Sequence, residues 1–477
     1  MMGIFGMVYV KEKLFTVKKC IGGVFLIGMA VQIIFGLSWT AANLFSLQHF
    51  SESAELVEIS STLRADEYIG ILYPLLIRLG MLLERGLFLP YYFWLYIIQL
   101  SAAFFAGCLF ISGSGPCSRK WHDGVSLFGA GYLVSVPQLL QLHMAVLPQS
   151  LILSLFLAQL GVVLAQMRKK SLHKMRDFAV CCVLWAGMAL LQPDYLWLGG
   201  VPVLCLFLML CKRKASAGHL FGMAAVMVLA VLLISGVNSV TQEAGSRGKI
   251  QRTLGAAMIS RLAWPYFEDN YFFWPEEVKQ VMSPMDGREI SVYADNVQRI
   301  LGPKFEEAFG KEQANAYYWE MALRCFSDRT KMVSSEIKED FVAYLFVPFV
   351  TGKQFSGGGL SYAGWNFDRM WENSKALTSM YVRYGSGSFF VGIIFAAIYL
   401  IVGSRKTVLE KRTEKKERIS LKIFGLCAFC ALTQAVWYTM SGAGMMDYKN
   451  VPVIIALWYL CQVWGFQKYY RDGEIAC

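Results

Sequence analysis

The chain has 477 residues, of which 56% are hydrophobic and only 17% are charged, and its mean hydropathy is +0.44. Soluble globular domains carry about 25% charged residues, so this composition excludes an ordinary soluble protein and predicts a polytopic membrane protein. The formal net charge is +11, but the lysines and arginines stand mainly in short runs between apolar stretches. That arrangement is a topology signal, and nucleic acid is not an expected partner.

Apolar stretches follow one another along most of the chain, and a membrane helix needs about 20 such residues. The predicted spans are 20–41, 90–112, 125–146, 147–167, 178–193, 195–211, 217–237, 387–403, 421–441 and 450–466. The apolar run 178–211 is too long for one helix, and Gln192-Pro193-Asp194 interrupts it, which predicts a tight hairpin. We therefore expect an all-α membrane protein of about ten transmembrane helices.

The basic residues orient these spans. Lysines crowd the N-terminus before the first span, and further basic runs occur at 119–120, 168–170, 212–214 and 405–422. All of them fall on one side of the ten-span arrangement, and cytoplasmic loops are the ones enriched in Lys and Arg. We expect a multi-pass protein of the cell membrane with both termini in the cytoplasm.

Three parts follow from this topology. Residues 1–237 form an N-terminal membrane module with a first outer loop at 42–89, and residues 387–477 supply the last membrane helices. Between them, residues 238–386 are hydrophilic, long enough for a domain, and placed outside. Within this extracytoplasmic domain, residues 312–346 have helical periodicity, so the domain is predicted to be largely helical. Cys325 is its single cysteine, so no disulfide framework is expected there.

Carboxylates are concentrated in the first outer loop. Glu52, Glu55 and Glu58 are three residues apart, a spacing that lines them along one side of a helix. A carboxylate here can act as a general base on an acceptor hydroxyl, or hold a divalent cation that bridges a phosphate. The alternative is a solvated helix face. Residues 68–85 then predict an amphipathic helix at the headgroup level, where Arg78 either binds a lipid phosphate or extends to the headgroups.

Four short motifs resemble those of the bacterial GT-C glycosyltransferases, integral-membrane enzymes related to protein mannosyltransferases and lipid A aminoarabinose transferases. The motifs are Glu52-Ser53-Ala54-Glu55-Leu56, Leu72-Tyr73-Pro74-Leu75-Leu76, Leu147-Pro148-Gln149-Ser150-Leu151 and Leu191-Gln192-Pro193-Asp194-Tyr195. They cover roughly the first 210 residues. The chain departs from the pattern at Glu52, where Asp is usual, at Gln149, where Glu is usual, and at Gln192, where Arg is usual.

The resemblance implies transfer of a sugar from a polyprenyl-phosphate donor to an acceptor on the outer face, with inversion. It implies Glu52 as the base, and Asp66 with Glu67 as a second acidic pair. Residues that bind substrate in this interpretation are Glu55, Arg78, His143, Gln149, Asp194, Arg247, Lys249, Arg252 and Trp365. Each has a structural alternative: His143 and Gln149 as hydrogen-bonding groups between helices, Asp194 as a turn residue, and the basic residues as surface charge.

No zinc motif, P-loop or Rossmann fingerprint stands in a suitable context. No cofactor is required, and a divalent cation is optional, because a phosphate leaving group is already a stabilised anion. Expected partners are the lipid-linked sugar donor, membrane lipids and a glycan, lipid or protein acceptor. Three other functions stay open: a polymerase or ligase for lipid-linked oligosaccharide, which would concentrate essential residues in 238–386; a transporter, which favours symmetric halves; and a non-catalytic scaffold.

Overall fold

The structure is a computed structural model. It describes residues 2–45, 47, 51–63, 70–114, 119–168, 174–192, 195–212, 217–241, 275–282, 302–328, 330–331, 334–335, 338, 361–362, 365–366, 380–381, 384–385, 391–392, 394, 429 and 451–474.

Helices account for nearly all of this described part. In the first 241 residues they are α1 (Met2–Asn43), α2 (Ser51–Thr62), α3 (Leu72–Leu87), α4 (Tyr91–Ser114), α5 (Arg119–Val134), α6 (Pro137–His143), α7 (Gln149–Arg168), α8 (Lys174–Leu191), α9 (Leu196–Lys212) and α10 (Ala217–Thr241). Later helices are α11 (Glu276–Met282), α12 (Gly302–Asp328) and α13 (Val451–Glu474). Two short strands, β1 (Ser361–Tyr362) and β2 (Trp365–Asn366), pair antiparallel, with Tyr362 opposite Trp365.

Four of the described helices are long and apolar enough to cross a membrane: Gly22–Asn43, Tyr91–Gly113, Gln149–Gln166 and Ala217–Val237. They coincide with the spans predicted at 20–41, 90–112, 147–167 and 217–237. Shorter apolar helices run over Leu198–Cys211 and Val453–Val463. The predicted spans 387–403 and 421–441 fall almost wholly outside the described residues, so the number ten stays a prediction.

The predicted span 125–146 is not one helix. α5 ends at Val134, and the backbone at Val136 is extended, with φ −65° and ψ 127°, before α6 begins at Pro137. A proline disfavours helical geometry in the residue before it, which explains the break. α6 then ends at His143, and residues 144–148 form a turn before α7 begins at Gln149. Every residue from 135 to 150 is buried.

α8 ends at Leu191, α9 begins at Leu196, and the two helices pack together, as a hairpin between them predicts. Pro193 and Asp194 themselves lie outside the described residues. α8 and α9 share a core cluster to which α7 and α10 also contribute; its buried residues are Val163, Phe178, Cys181, Cys182, Trp185, Val203, Leu206, Leu210, Met223 and Ala230. The core of the membrane module therefore includes packing between neighbouring helices of α7–α10.

α4 and α7 approach closely where two glycines meet. A Cβ atom on Gly161 of α7 would lie 2.7 Å from the backbone carbonyl of Leu109 in α4, and one on Gly113 would overlap the carbonyl oxygen of Gly161. Small residues are what permits membrane helices to pack with their backbones in contact. This contact fixes how closely the axes of α4 and α7 approach each other.

The chain divides into two compact units: Met1–Thr241 with Phe367–Ala428 and Ile455–Cys477, and Gln242–Asn366 with Phe429–Ile454. In the second unit, α12 begins ten residues before the predicted 312 and is kinked at Gly310, whose φ is +75°. The helix is held by aromatic packing, because Phe305 stacks on Tyr318 with ring centroids 5.2 Å apart. Tyr318 is buried, and burial raises its pKa.

Candidate functional site

Seven buried polar residues lie together in the membrane module, and we call them the polar cluster. They are Ser53, Tyr73, Gln99, His143, Gln149, Ser150 and Gln192, each at most 8% exposed. They come from α2, α3, α4, α6, α7 and the residue that follows α8. Buried polar groups are costly unless hydrogen-bonded, so the cluster has to be understood through its partners.

The turn at 144–148 is the centre of the cluster. A turn between helices leaves backbone carbonyls without helical partners, and in an apolar environment each must be satisfied by another group. The Gln99 side chain provides this, since its Nε2 donates to the carbonyl of His143 at 2.8 Å and to that of Ala145 at 2.9 Å. α4 therefore holds the turn through a single amide.

Tyr73 connects α3 to the same amide. Its hydroxyl donates to Gln99 Oε1 at 2.7 Å. Tyr73 is fully buried, and burial raises its pKa well above the ordinary value, so the hydroxyl keeps its proton and stays a donor. Both ends of the Gln99 amide are thus used, and the motif that contains Tyr73 is tied to the turn through α4.

Ser53 connects α2 to the turn directly. Its hydroxyl donates to the carbonyl of Val146 at 2.9 Å, across 93 residues of sequence. α2 buries Leu56, Ile59 and Ser60 on the same side as Ser53. The helix predicted to carry the acidic residues is therefore present, and its buried face lies against the protein.

His143 and Ser150 connect the two ends of the turn. His143 Nδ1 and Ser150 Oγ are 2.8 Å apart, and the tautomer of the imidazole decides which of them donates. Ser154 Oγ donates to the carbonyl of Ser150 at 2.8 Å, one turn further along α7. His143 is therefore hydrogen-bonded within the protein, as the structural interpretation of this residue predicts. Its role in binding substrate stays a prediction.

Gln149 and Gln192, the two amides that depart from the GT-C pattern, are partners of each other. Gln149 Nε2 donates to Gln192 Oε1 at 3.1 Å and joins the start of α7 to the end of α8. The contact is a neutral hydrogen bond between two buried amides.

Gly70 brings the end of the first loop against α8. A Cβ atom at this position would overlap the carbonyl oxygen of Leu190, so only glycine permits the approach. The residue two positions before α3 therefore lies against the last turn of α8, next to the motif that contains Gln192.

Of the three glutamates in α2, Glu58 is the one whose side chain the structure describes. Glu58 is exposed. Position 52 precedes Leu56 by four residues and Ile59 by seven, the spacing that keeps positions on one helix face. Position 58 is six residues, about 120° of rotation, away from position 52. The side chains of Glu52 and Glu55 lie outside the described part, so the alignment of the three glutamates along one side stays a prediction.

Several predicted site residues lie outside the described part of the chain: Asp66, Glu67, Asp194, Arg247, Lys249 and Arg252. The backbone of Glu55 is in α2 and that of Trp365 is in β2. Arg78 is exposed on α3, the helix predicted at 68–85, whose leucines 75, 79 and 82 are exposed as well. That face is suited to the lipid headgroup region.

The second unit has a separate polar contact. The Tyr317 hydroxyl of α12 donates to the Glu277 carboxylate of α11, and this hydrogen bond raises the pKa of Tyr317. Phe309 packs edge-on against Tyr317, with ring centroids 4.8 Å apart. The contact joins α11 to α12.

The polar cluster has donors and acceptors that suit hydroxyl groups better than a metal ion. They are amides and hydroxyls with one imidazole, a set made for hydrogen bonding. Among the residues that the structure describes, no group of three or more His, Cys, Asp or Glu side chains is placed to hold a metal ion. A divalent cation bound through a carboxylate of the first outer loop stays a prediction.

Sequence reasoning missed Gln99 and undervalued Tyr73 and Ser53. A lone glutamine inside the predicted span 90–112 was a signal, because a polar side chain at membrane depth normally has a partner there. Its partners are backbone carbonyls more than 40 residues away, and residue patterns along the chain do not show such contacts.

Known proteins offer little direct comparison. No protein-family model matches the chain, and no curated protein matches it. Among solved structures, the crystal structure of ArnT from Cupriavidus metallidurans in the apo state aligns over 95% of this chain and 79% of that one, with 11% identity and a TM-score of 0.32. A TM-score this low does not establish a common fold. The long apolar helices do establish the class: the chain is an α-helical, multi-pass membrane protein.

Proposed function

We propose that the protein is a GT-C-type membrane glycosyltransferase, which transfers a sugar from a polyprenyl-phosphate donor to an acceptor at the outer face of the cell membrane. One observation carries the proposal: four sequence motifs, spread over residues 52–195, meet in one buried polar cluster. Ser53, Tyr73, Gln149 with Ser150, and Gln192 each come from a different motif, and all take part in its hydrogen bonds.

The convergence matters because the motifs are short. Matches that arise by chance have no reason to come together in the fold, whereas the parts of one site do. The hydrogen bond between Gln149 and Gln192 joins two of these motifs directly.

In the proposed reaction, the Glu52 carboxylate takes the proton of an acceptor hydroxyl. The acceptor oxygen forms a bond to the anomeric carbon as the bond from that carbon to the donor phosphate breaks, and the configuration inverts. The phosphate leaves with the bonding electrons, and the cations Arg78, Arg247, Lys249 and Arg252 stabilise its charge. A divalent cation is optional in this scheme.

The remaining candidate residues have a supporting role. His143, Gln149 and Asp194 line the site, Glu55 binds acceptor hydroxyls, and Trp365 stacks on a sugar face. Asp66 and Glu67 are the alternative acidic pair. The proposal has both chain termini in the cytoplasm, and it has the first loop and residues 238–386 on the outer side of the membrane, where the acceptor is.

The test is glycosyl transfer in membranes from cells that express wild type, Glu52→Gln or Glu58→Gln, supplied with a panel of polyprenyl-phosphate sugars. Glu58 is the matched control because it is on the same helix and exposed. We expect Glu52→Gln to lower the transfer rate by about 100-fold or more and Glu58→Gln to leave it within about twofold. Size-exclusion profiles in detergent would show that both variants fold.

Two results would contradict the proposal in different ways. Full activity of Glu52→Gln would move the base to Asp66 and Glu67, or to residues 238–386, as a polymerase or ligase requires. Absence of transfer by the wild type over the whole donor panel would reject the glycosyltransferase itself.

A further inference from the structure

α2 is a short helix that something else must hold in place. It has 12 residues, and helices of that length are marginal in water unless tertiary contacts stabilise them. Its apolar contribution is modest, because Leu56 and Ile59 are the main buried apolar side chains on it that the structure describes. The hydrogen bond from Ser53 to the Val146 carbonyl is therefore a considerable part of its attachment.

The acceptor of that bond is itself fixed. Val146 lies in the 144–148 turn, where the neighbouring carbonyls of His143 and Ala145 are both bound by the Gln99 amide. Because the turn is buried throughout and held by α4, the Val146 carbonyl is a fixed reference point. Through its hydrogen bond to this carbonyl, the Ser53 hydroxyl fixes the position of the first turn of α2 relative to the 144–148 turn.

We propose that Ser53 is a positioning residue for the transfer reaction. This inference depends on the proposed function, in which Glu52 is the base. Ser53 follows Glu52 directly, so the hydrogen bond fixes both the rotation and the axial position of the helix turn to which the carboxylate is attached. Proton transfer requires the base within hydrogen-bonding reach of the acceptor hydroxyl, and a displacement of about 1 Å can lower the rate by about 100-fold.

The alternative is that the hydroxyl only satisfies a buried polar group. The two interpretations differ in what the loss of the hydroxyl does. If the hydroxyl only satisfies a buried polar group, its removal lowers the free energy of unfolding and leaves the kinetic constants of the folded protein unchanged. If the hydroxyl positions the base, its removal lowers kcat and leaves the binding of the donor unchanged.

α2 offers a matched control in Ser60. Ser60 is as buried as Ser53, but its hydroxyl bonds the carbonyl of Val57 within the same helix at 2.6 Å, with Met81 Sδ of α3 3.9 Å away. Ser60→Ala therefore removes a buried hydroxyl from α2 without removing the bond to the turn. Serine to alanine changes little volume, so both variants are expected to fold.

The experiment compares wild type, Ser53→Ala and Ser60→Ala in detergent micelles, by steady-state transfer kinetics and by hydrogen exchange of peptides covering residues 51–62. We expect Ser53→Ala to lower kcat at least about tenfold, with the KM for the lipid-linked donor within about twofold, and Ser60→Ala to leave both within about twofold. Exchange in α2 should be about fivefold faster in Ser53→Ala, because a typical net hydrogen bond is lost.

Equal kcat in the two variants, or an effect of Ser53→Ala on KM alone, would overturn the proposal. If the wild type transfers no sugar, the proposed function fails, and the exchange data still decide the anchoring of α2. Hydrogen exchange in α2 that is faster in Ser53→Ala but not in Ser60→Ala supports the conclusion that Ser53 anchors the helix. Equal exchange in the two variants overturns that conclusion.

Discussion

α7 and α10 are both long enough to span a membrane, yet they differ in how they are used. Within the spanning segments, 83% of Gln149–Gln166 is buried inside the protein and only 11% of Ala217–Val237 is. The less buried helix is the more apolar one, and its exposed side chains include Phe221, Leu229 and Leu232. Lipid tails are as apolar as leucine, so hydrophobicity alone does not draw a helix into a membrane protein's interior.

The polar residues of α7 account for the difference. Gln159 Nε2 donates to the carbonyl of Cys181 in α8 at 3.0 Å and to that of Gly199 in α9 at 2.8 Å. Such a side chain is costly against lipid, so it favours the interior. In this pair of helices, the interior one is marked by a buried hydrogen-bonded glutamine and by a glycine in contact with a neighbouring backbone, and not by higher hydrophobicity. Three predictions test that conclusion.

The largest difference is expected for phenylalanine. Phe156 of α7 is fully buried, whereas Phe221 of α10 is 79% exposed. Phe156→Ala leaves a cavity and should lower the free energy of unfolding by about 3 kcal/mol, and Phe221→Ala should change it by less than about 0.5 kcal/mol. Equilibrium unfolding in mixed detergent micelles measures both. Similar losses would mean that α10 packs against something that covers Phe221.

A smaller difference is expected for glycine. Gly161→Ala puts a methyl group against the backbone of α4, whereas a methyl group on Gly236 of α10 would meet no neighbouring helix within 4 Å in the described part of the chain. Separating α4 from α7 should cost about 2 kcal/mol, and alanine at 236 should be neutral or stabilising by up to about 1 kcal/mol. Unfolding midpoints of the two variants give the comparison. A tolerated Gly161→Ala would show that α4 and α7 can slide apart without cost.

The smallest effect is the coupling between Gln149 and Gln192. Each single change to Leu leaves the other amide without its partner, whereas the double change removes both polar groups. We expect the double variant to be less destabilised than the sum of the single ones, by about 1 kcal/mol. Gln149→Leu with Gln159→Leu serves as the control and should be additive within about 0.5 kcal/mol, because the two glutamines have different partners. Additivity in the Gln149–Gln192 cycle would show that the pair does not act as a unit.

Much of the membrane module could be predicted from residue patterns. The spans beginning near residues 20, 90, 147 and 217 agree with the long apolar helices, because 20 consecutive apolar residues are a strong local signal. The prediction of one helix over 125–146 was wrong, because the average hydropathy of this stretch gives no sign of Pro137. The helix before this proline ends at Val134, and the next helix begins at Pro137 itself. A proline acts on local backbone geometry, and an average over 20 residues does not record it.

The sequence motifs of the candidate site could be predicted, but the hydrogen bonds between their residues could not. Ser53, Tyr73, Gln149 and Gln192 all lie in motifs read from the sequence, yet which atoms they bind was not readable. Gln99 received no role, because its partners are backbone carbonyls, and any residue type can supply a carbonyl. The exposure of Glu58 depends on which face α2 buries, and the regular spacing of the glutamates in the sequence does not show that face.

Composition and local geometry were enough to predict the class of protein, four of its long apolar helices and the short connection between α8 and α9. The contacts of the folded chain were needed to show that Gln149 meets Gln192, that Gln99 holds the 144–148 turn, and that α7 is buried while α10 is largely exposed. Those outcomes depend on which distant groups satisfy one another once water is excluded, and that is a property of the packed chain.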